Sequence, residues 1–348
     1  MERFIIGTGR CGSTLLTNML GQHPDLLVLS EFFVTMDRKN VFSPEPISGK
    51  EFAEFIDREH FVVPPIRRRF IESKENLGDV PESERVPALM VSTIPMNSDQ
   101  PLELYAELQE AVSAFLTQPR KQHFADLTDW LMRKTGKTEW LERSGPSAEY
   151  VPELVQQYPN AKYVHLHRNG PDNALSMMRN PYFQLVVSFF YNPPTREDLL
   201  ATEYGGQRIT RTDTLSRRLS TDFLPPERFA EYWSYELTLT YKALAQLNKD
   251  QYIDVRFEDL IAEPEATLVR IADFFELPQR DGWVAEAASL ITGLPDSGFD
   301  QLPEDVQNAI RRECATGELL LGRRTSPWIF STLELIEELA WKRFGRPG

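Results

Sequence analysis

Short apolar runs alternate with helical patterns from the start of the chain. Residues 3–7 and Leu26 to Leu29 are apolar enough for buried strands, and residues 13–21 between them have the pattern of a helix that Gly21 ends. A strand, a loop, a helix and a second strand within the first 31 residues are typical of a parallel sheet.

The same alternation returns in the second half of the chain. It predicts strands at 140–142, 161–167 and 252–257, and helices at 150–157, 171–179, 226–247, 264–275 and 333–344. We therefore expect an α/β protein with three layers, α/β/α, around a central parallel sheet, in a single domain that spans 1–348.

Residues 37–137 lack this alternation. They contain a turn-rich stretch at 43–46, three arginines at 67–69 and a helical pattern at 101–118, in which Leu102, Tyr105, Leu108, Val112 and Phe115 have helical spacing. We predict a mostly helical insertion, either a lid over a site or a small subdomain. The three arginines indicate a solvated face or a contact for an acidic substrate.

The net charge of −14 argues against a nucleic-acid partner bound through a broad basic face. An anion site must then be local, built from a few arginines and backbone N–H groups. Two cysteines, Cys11 and Cys314, cannot form a disulfide framework, so a reducing compartment is the simpler interpretation. No apolar run reaches the ~18 residues that cross a bilayer, and we expect a cytoplasmic protein with no membrane span.

A glycine-rich loop joins the first predicted strand to the first predicted helix. It reads Gly7-Thr8-Gly9-Arg10-Cys11-Gly12-Ser13-Thr14 and matches the Walker spacing, except that Ser13 stands where lysine is expected. Glycines bring backbone N–H groups close to an anion, and the helix adds its positive end. The cation of this loop is Arg10. A plain glycine-rich turn and a degenerate nucleoside-triphosphate loop remain alternatives.

The run from Gly9 to Leu16, followed by His23-Pro24, resembles the 5′-phosphosulfate loop of sulfotransferases. These enzymes use 3′-phosphoadenosine 5′-phosphosulfate (PAPS), and the likeness is to the branch that includes bacterial and protein-tyrosine sulfotransferases. The resemblance implies a P-loop-like fold and a cofactor loop made of Gly9, Arg10, Cys11, Gly12, Ser13, Thr14 and Leu15.

A second block resembles the 3′-phosphate motif of the same family. Residues 158–167 contain the predicted strand and the segment that leads into it. Arg168 follows directly, and Ser176 comes eight residues later on the next predicted helix. The resemblance assigns the 3′-phosphate to Arg168 and Ser176, because an arginine presents a fork of donors at a strand end. Arg324, in a basic C-terminal pair, is a further candidate for this phosphate. A third block at 255–268 resembles the late strand–turn–helix of the family and is given a structural role.

The catalytic roles follow from the resemblance and from the chemistry of group transfer. Arg10 would stabilise the sulfuryl oxygens, and a base must take the proton of the acceptor hydroxyl. In the protein-tyrosine branch a catalytic glutamate occupies the place of Glu31. Arg143 stands where the family has a lysine and is a secondary sulfuryl contact. His123 in the insertion is the alternative base.

Three functions remain open at this point. The first is in-line transfer of a sulfuryl group from PAPS to a hydroxyl, with no metal, because arginines and loop amides can supply the positive field. The aromatic content favours a small-molecule or lipid-like acceptor. The second is a P-loop kinase or nucleotide hydrolase that uses ATP and Mg²⁺. The third is a non-catalytic nucleotide-binding scaffold.

Overall fold

The computed structural model describes residues 1–36, 38–58, 87–193, 195, 202–204, 207–209, 214–215, 217–218, 223–293, 295 and 297–322. They belong to two compact units. The first is formed by the described parts of Met1–Val63, Glu72–His167 and Leu247–Leu294, and the second by those of Pro64–Ile71, Arg168–Gln246 and Pro295–Gly348. The arginines at 67–69, Arg324 and the helix predicted at 333–344 lie outside the described residues. The single domain stays a prediction.

The first unit contains the main sheet and most of the predicted pattern. Its strands are β1 Arg3–Ile6, β2 Leu26–Ser30, β3 Pro46–Ile47, β4 Gln118–Pro119, β5 Glu139–Arg143, β6 Lys162–His167 and β9 Tyr252–Arg256. Its helices are α1 Ser13–Leu20, α2 Arg38–Val41, α3 Gly49–Ile56, α4 Thr93–Asn97, α5 Pro101–Ser113, α6 Arg120–Thr135, α7 Val151–Gln157, α11 Phe257–Ala262, α12 Pro264–Phe274 and α13 Trp283–Ala288.

Five of these strands form a parallel sheet in the order β2-β5-β1-β6-β9. The register pairs Ile5 with Arg143 of β5 and with Val164 of β6, and it pairs Ser30 of β2 with Arg143. The carboxyl ends of parallel strands meet at one edge, so the segments after β1, β2 and β5 converge there. The predicted α/β fold with a central parallel sheet is confirmed.

Helices cover both faces of this sheet. On one face, α1, α11 and α12 pack on alternate strand residues; this core includes Ile5, Leu16, Leu141, Val164 and Ile271. On the other face, Phe4 stacks on Tyr163 and contacts the rings of Trp140 and Tyr158, and α6 packs against β2 and β5. Burial on two faces explains the nearly continuous apolar runs in β1 and β2.

The described part of 37–137 is mostly helical, but one predicted helix is wrong in extent. The helix predicted at 101–118 ends at Ser113, and the next segment is the short strand β4. Its buried residues are Leu104, Leu108 and Val112, whereas Leu102 is 62% exposed. The apolar face is thus rotated from the predicted one, because helical spacing alone does not decide which of two overlapping stripes faces the core.

The second unit is largely helical. Its elements are α8 Gly170–Met178, α9 Pro181–Tyr191, β7 Thr202–Tyr204, β8 Gln207–Ile209, α10 Pro226–Leu244 and α14 Glu304–Gly322. Helix α14 packs on α10 at Gly317, where a Cβ atom would lie 2.5 Å from the ring of Trp233. None of the helices within the described ranges is long and apolar enough to cross a membrane.

Candidate active site

The loop after β1 has the backbone of an anion cradle. Gly9, Arg10 and Gly12 have φ values of 73°, 54° and 92°, and left-handed residues within a turn bring successive N–H groups to one side. Gly12 precedes α1 as its N-cap residue and has no side chain to accept from the first turn of that helix. The amides of this turn can therefore meet an anion, whose charge the helix dipole favours.

Gly12 is required for two reasons. Its φ lies in the left-handed region, and a Cβ atom there would lie 2.1 Å from the ring of Phe257. Phe257 begins α11, directly after β9. The close approach of loop and ring leaves no room for a side chain at the start of α1.

Arg143 joins the loop to the neighbouring strand. It is the last residue of β5 and is 3% exposed. Its Nη2 atom donates to the hydroxyls of Ser13, at 2.8 Å, and Thr14, and its Nη1 atom donates to the Glu31 carboxylate. The structure therefore brings together three predicted groups: the loop hydroxyls, Arg143 and Glu31.

Glu31 follows β2 at the same edge of the sheet. Its backbone N–H donates to the carbonyl of Arg143 at 2.6 Å, and its φ of 52° is left-handed. The Oε1 atom accepts from Arg143, and the Oε2 atom accepts from the N–H of Gly145 at 2.9 Å. Each carboxylate oxygen keeps a second lone pair for a further donor.

The turn after β5 contributes residues that the sequence analysis missed. A Cβ atom at Gly145 would lie 2.9 Å from the Glu31 Oε1 atom, so a glycine here lets the carboxylate approach the backbone. The Ser144 hydroxyl accepts from the N–H of Val34 at 3.2 Å, and the Ser147 hydroxyl accepts from the N–H of Gly7 at 2.9 Å. The run Ser144-Gly145-Pro146 directly after a strand was the available signal.

The Glu142 carboxyl and the Cys11 thiol lie beside the cluster. Burial raises the pKa of Glu142 to about 8, hydrogen bonds from Ser144 and Phe33 oppose this shift, and the charge of Glu31 adds to it. Burial also raises the pKa of the Cys11 thiol, although the Arg143 charge acts in the opposite direction. Cys11 is fully buried within the loop.

His123 and His165 lie elsewhere in the first unit, each with partners of its own. His123 is fully buried on α6, where its ring stacks on Phe52 with centroids 4.5 Å apart and its Nε2 atom lies 2.8 Å from the Ile47 carbonyl. These contacts belong to the helical segment and not to the cluster around Arg143. His165 pairs with Asp254 at 2.8 Å within the sheet. His123 as the alternative base stays a prediction.

The residues predicted for the 3′-phosphate belong to the second unit. Arg168 directly follows β6, is 5% exposed, and its Nη2 atom lies 3.5 Å from the Pro295 carbonyl. Ser176 is half-buried on α8. The Asn169 side chain caps that helix by accepting from the N–H of Asp172 at 3.2 Å. The strand, arginine and helix therefore follow the order that the sequence pattern predicted.

A sequence model described as the sulfotransferase family matches residues 3–229 and 205–281. Together these ranges take in the loop, Glu31, Arg143 and Arg168. The chain belongs to the sulfotransferase family, and the family prediction is confirmed.

Solved sulfotransferase structures resemble the chain at low identity. The sulfotransferase domain from the curacin biosynthetic pathway is 16% identical, with 91% of this chain and 96% of that chain covered and a TM-score of 0.46. A sulfotransferase from Mycobacterium avium is 13% identical over 93% of this chain and 77% of that one, with a TM-score of 0.45. A sulfotransferase from Alicyclobacillus acidocaldarius is 16% identical, with 94% of this chain and 97% of that chain covered and a TM-score of 0.40. No curated protein matches the chain.

Proposed function

We propose that this protein transfers a sulfuryl group from PAPS to a hydroxyl of a small-molecule or lipid-like acceptor. The observation that carries the proposal is the hydrogen-bonded cluster of Arg143, Glu31 and the Ser13 and Thr14 hydroxyls at the end of the phosphate-type loop. A sulfotransferase needs an anion cradle, a cation and a base in one place, and the cluster has all three kinds of group.

The donor set suits the 5′-phosphosulfate group. The first turn of α1 has no side-chain cap, two hydroxyls lie at its start, and Arg10 is exposed in the middle of the loop. Arginine presents planar donors to sulfuryl and phosphate oxygens. In the proposal the loop amides and the hydroxyls hold the 5′-phosphate, and Arg10 and Arg143 face the sulfuryl oxygens.

The proposed reaction is a single in-line displacement. The acceptor oxygen forms a bond to sulfur while the bond from sulfur to the phosphate oxygen breaks. The proton of the acceptor goes to Glu31, and 3′-phosphoadenosine 5′-phosphate leaves. The Arg143 guanidinium and the Gly145 N–H hold the Glu31 carboxylate in one orientation, which fixes the base before the acceptor binds.

The 3′-phosphate contacts are a proposal of their own. Arg168 and Ser176 have this role in the family pattern, and the charge-assisted hydrogen bonds of an arginine would favour a 3′-phosphorylated nucleotide over AMP. R168A is expected to weaken the binding of 3′-phosphoadenosine 5′-phosphate more than the binding of AMP. An equal loss of affinity for both ligands would show that Arg168 does not bind the 3′-phosphate.

The test begins with thermal unfolding in the presence of three ligands: 3′-phosphoadenosine 5′-phosphate, ATP with Mg²⁺, and AMP. A ligand at a hundred times its Kd adds about 2.7 kcal/mol to the free energy of unfolding. We expect the largest midpoint shift with the bisphosphate, and R10A should reduce it while R133A, on the exposed side of α6, should not. Labelled PAPS with a panel of phenols and alkanols then identifies the acceptor.

A kinase or a scaffold would give a different result. If only ATP with Mg²⁺ raises the midpoint of unfolding, the protein is a kinase or nucleotide hydrolase and not a sulfotransferase. A bisphosphate shift without sulfation of any acceptor in the panel would favour the scaffold. Ser13 occupies the lysine position of a nucleoside-triphosphate loop, and its hydroxyl accepts from Arg143, which supports the sulfotransferase.

A further inference from the structure

A cavity of about 450 Å³ lies on the sheet face opposite α1. Helix α6 forms one wall, and strands β2 and β5 form the other, because Ala125 and Thr128 of α6 and Leu29 of β2 line it together with Trp140 of β5. Ligand sites in proteins typically have 300–1,000 Å³. The volume is about three times that of an engineered cavity that holds one benzene.

Aromatic side chains make up much of the lining. They lie at both ends of the strands and along α6: Phe32, Phe33, Phe124, Trp140 and Tyr158. Rings of this kind bury large apolar area and offer edges and faces to a flat partner. The cavity therefore suits a flat apolar body better than a strongly hydrated one.

Of the two carboxyl groups in the lining, Glu2 and Glu142, only Glu142 is fully buried. Its Oε1 atom accepts from the Ser144 hydroxyl at 2.5 Å and from the Phe33 N–H at 3.4 Å. Its Oε2 atom is buried and has no hydrogen-bond partner among the described residues. Buried polar atoms are nearly always hydrogen-bonded, so Oε2 is the group through which this cavity can bind a polar atom of a small molecule.

We propose that this cavity binds an uncharged small molecule with a flat apolar body and one oxygen acceptor, which takes a hydrogen bond from Glu142 Oε2. The site is separate from the phosphate loop, because Glu142 and Arg143 are neighbours on β5 and point to opposite faces of the sheet. The proposal uses no contact of the loop and does not rest on the proposed function.

The protonation state of Glu142 decides the class of ligand. Its pKa of about 8 keeps the carboxyl mostly neutral at pH 7. With Oε1 accepting two hydrogen bonds, the proton lies on Oε2 and can be donated. The charged and titratable groups around Glu142 are Glu2, Lys121 and Tyr158 in the lining, and Glu31 and Arg143 at the carboxyl end of the strands. A ketone, ether or alcohol oxygen fits this donor. A carboxylate would have to be buried, while the cation in the lining, Lys121, is exposed and donates to the Gln157 carbonyl.

The probe for the test is prodan, a neutral naphthyl ketone whose emission reports both an apolar environment and a hydrogen bond to its carbonyl. We expect saturable binding with blue-shifted emission. As the pH rises from 7 to 9, Glu142 ionises, and the apparent Kd should increase about tenfold because only the protonated fraction binds. E142Q keeps a donor at this position but does not titrate, so its Kd should be the same at both values.

A second variant tests the location of the dye. A125W places a large ring at the exposed mouth of the cavity, and it should raise the Kd at least tenfold. R133W puts the same ring on an exposed part of α6 outside the lining and should leave the Kd unchanged. The proposal is overturned by the absence of saturable binding, by wild-type affinity in A125W, by a pH dependence that persists in E142Q, or by displacement of the dye with 3′-phosphoadenosine 5′-phosphate.

Discussion

Arg143 and Glu142 are adjacent on β5, and the sheet separates their environments. Arg143 lies among a carboxylate and two hydroxyls, all of which accept its hydrogen bonds. Glu142 lies beside an aromatic cavity, where burial raises its pKa to about 8. One strand thus carries an ion-paired, hydrogen-bonded site on one face of the sheet and a neutral acid on the other. Side chains alternate along a strand, so adjacent residues lie in different environments.

The largest expected effect comes from removing the proposed base, Glu31, on the Arg143 face. E31Q keeps the size of the side chain but cannot accept the proton of the acceptor, so turnover should fall about 10²- to 10⁴-fold. The midpoint shift with 3′-phosphoadenosine 5′-phosphate should remain. E265Q, at an exposed position of α12, is the control. Full turnover in E31Q would show that Glu31 only holds Arg143 in place.

The ion pair itself should dominate stability on this face. The side chains of Arg143 and Glu31 are 4% and 12% exposed, and R143M leaves the carboxylate buried without its cation. We expect the free energy of unfolding to fall by about 3 kcal/mol in urea denaturation. K134M breaks a pair with Glu107 whose side chains are 44% and 42% exposed, and it should cost about 0.5 kcal/mol or less. Similar losses in the two variants would contradict the contrast between buried and exposed pairs.

The opposite face should show a pH dependence. The pKa of Glu142 rises from 4.5 to about 8 in the folded chain, so between these values the folded state binds a proton that the unfolded state has released. The stabilising contribution is complete below pH 4.5 and is lost as the pH rises through 8. Wild type should therefore lose about 3 kcal/mol more than E142Q between pH 5 and 8, measured by urea denaturation. Parallel pH profiles would show that Glu142 is ionised in the folded state.

The smallest expected effect is at Gly145. G145A would bring a Cβ atom to 2.9 Å from the Glu31 Oε1 atom, so the carboxylate must shift by a few tenths of an ångström. Turnover should fall about tenfold, or about 1.4 kcal/mol in the barrier, with little change in the urea midpoint. G322A is the control, since no atom of the described residues lies within 4 Å of its added Cβ. An unchanged rate in G145A would mean that the orientation of Glu31 is not critical.

The sequence predicted the Arg143 face far better than the Glu142 face. The unit from β1 to β2 was predicted nearly to the residue, because short apolar strands and the glycine loop are local signals. Glu31 and Arg143 came from a family pattern at strand ends. Glu142 and Gly145 were missed because their roles depend on the alternation of β5 and on the absence of a side chain, which only the folded chain reveals.

The second unit shows a different limit. Helix α14 at Glu304–Gly322 was not predicted, since its buried residues are Ile310, Cys314, Gly317 and Leu320. Their spacing is helical, but two of the four are small, so the apolar periodicity is weak. Gly317 is needed there because the ring of Trp233 on α10 occupies the space of a side chain, and this contact joins segments about 80 residues apart, beyond the reach of a local pattern.

The left-handed backbone at Arg10 and Glu31 has a consequence for how far this protein can be stabilised. Their φ values are 54° and 52°, and a side chain in that region costs of order 1 kcal/mol relative to glycine. R10G would relieve this strain at a residue of the proposed chemistry, whereas E31G would also remove the ion pair with Arg143. Selection for heat resistance alone would therefore favour variants that have lost Arg10. Thermostable variants of this chain should be screened for turnover at every round.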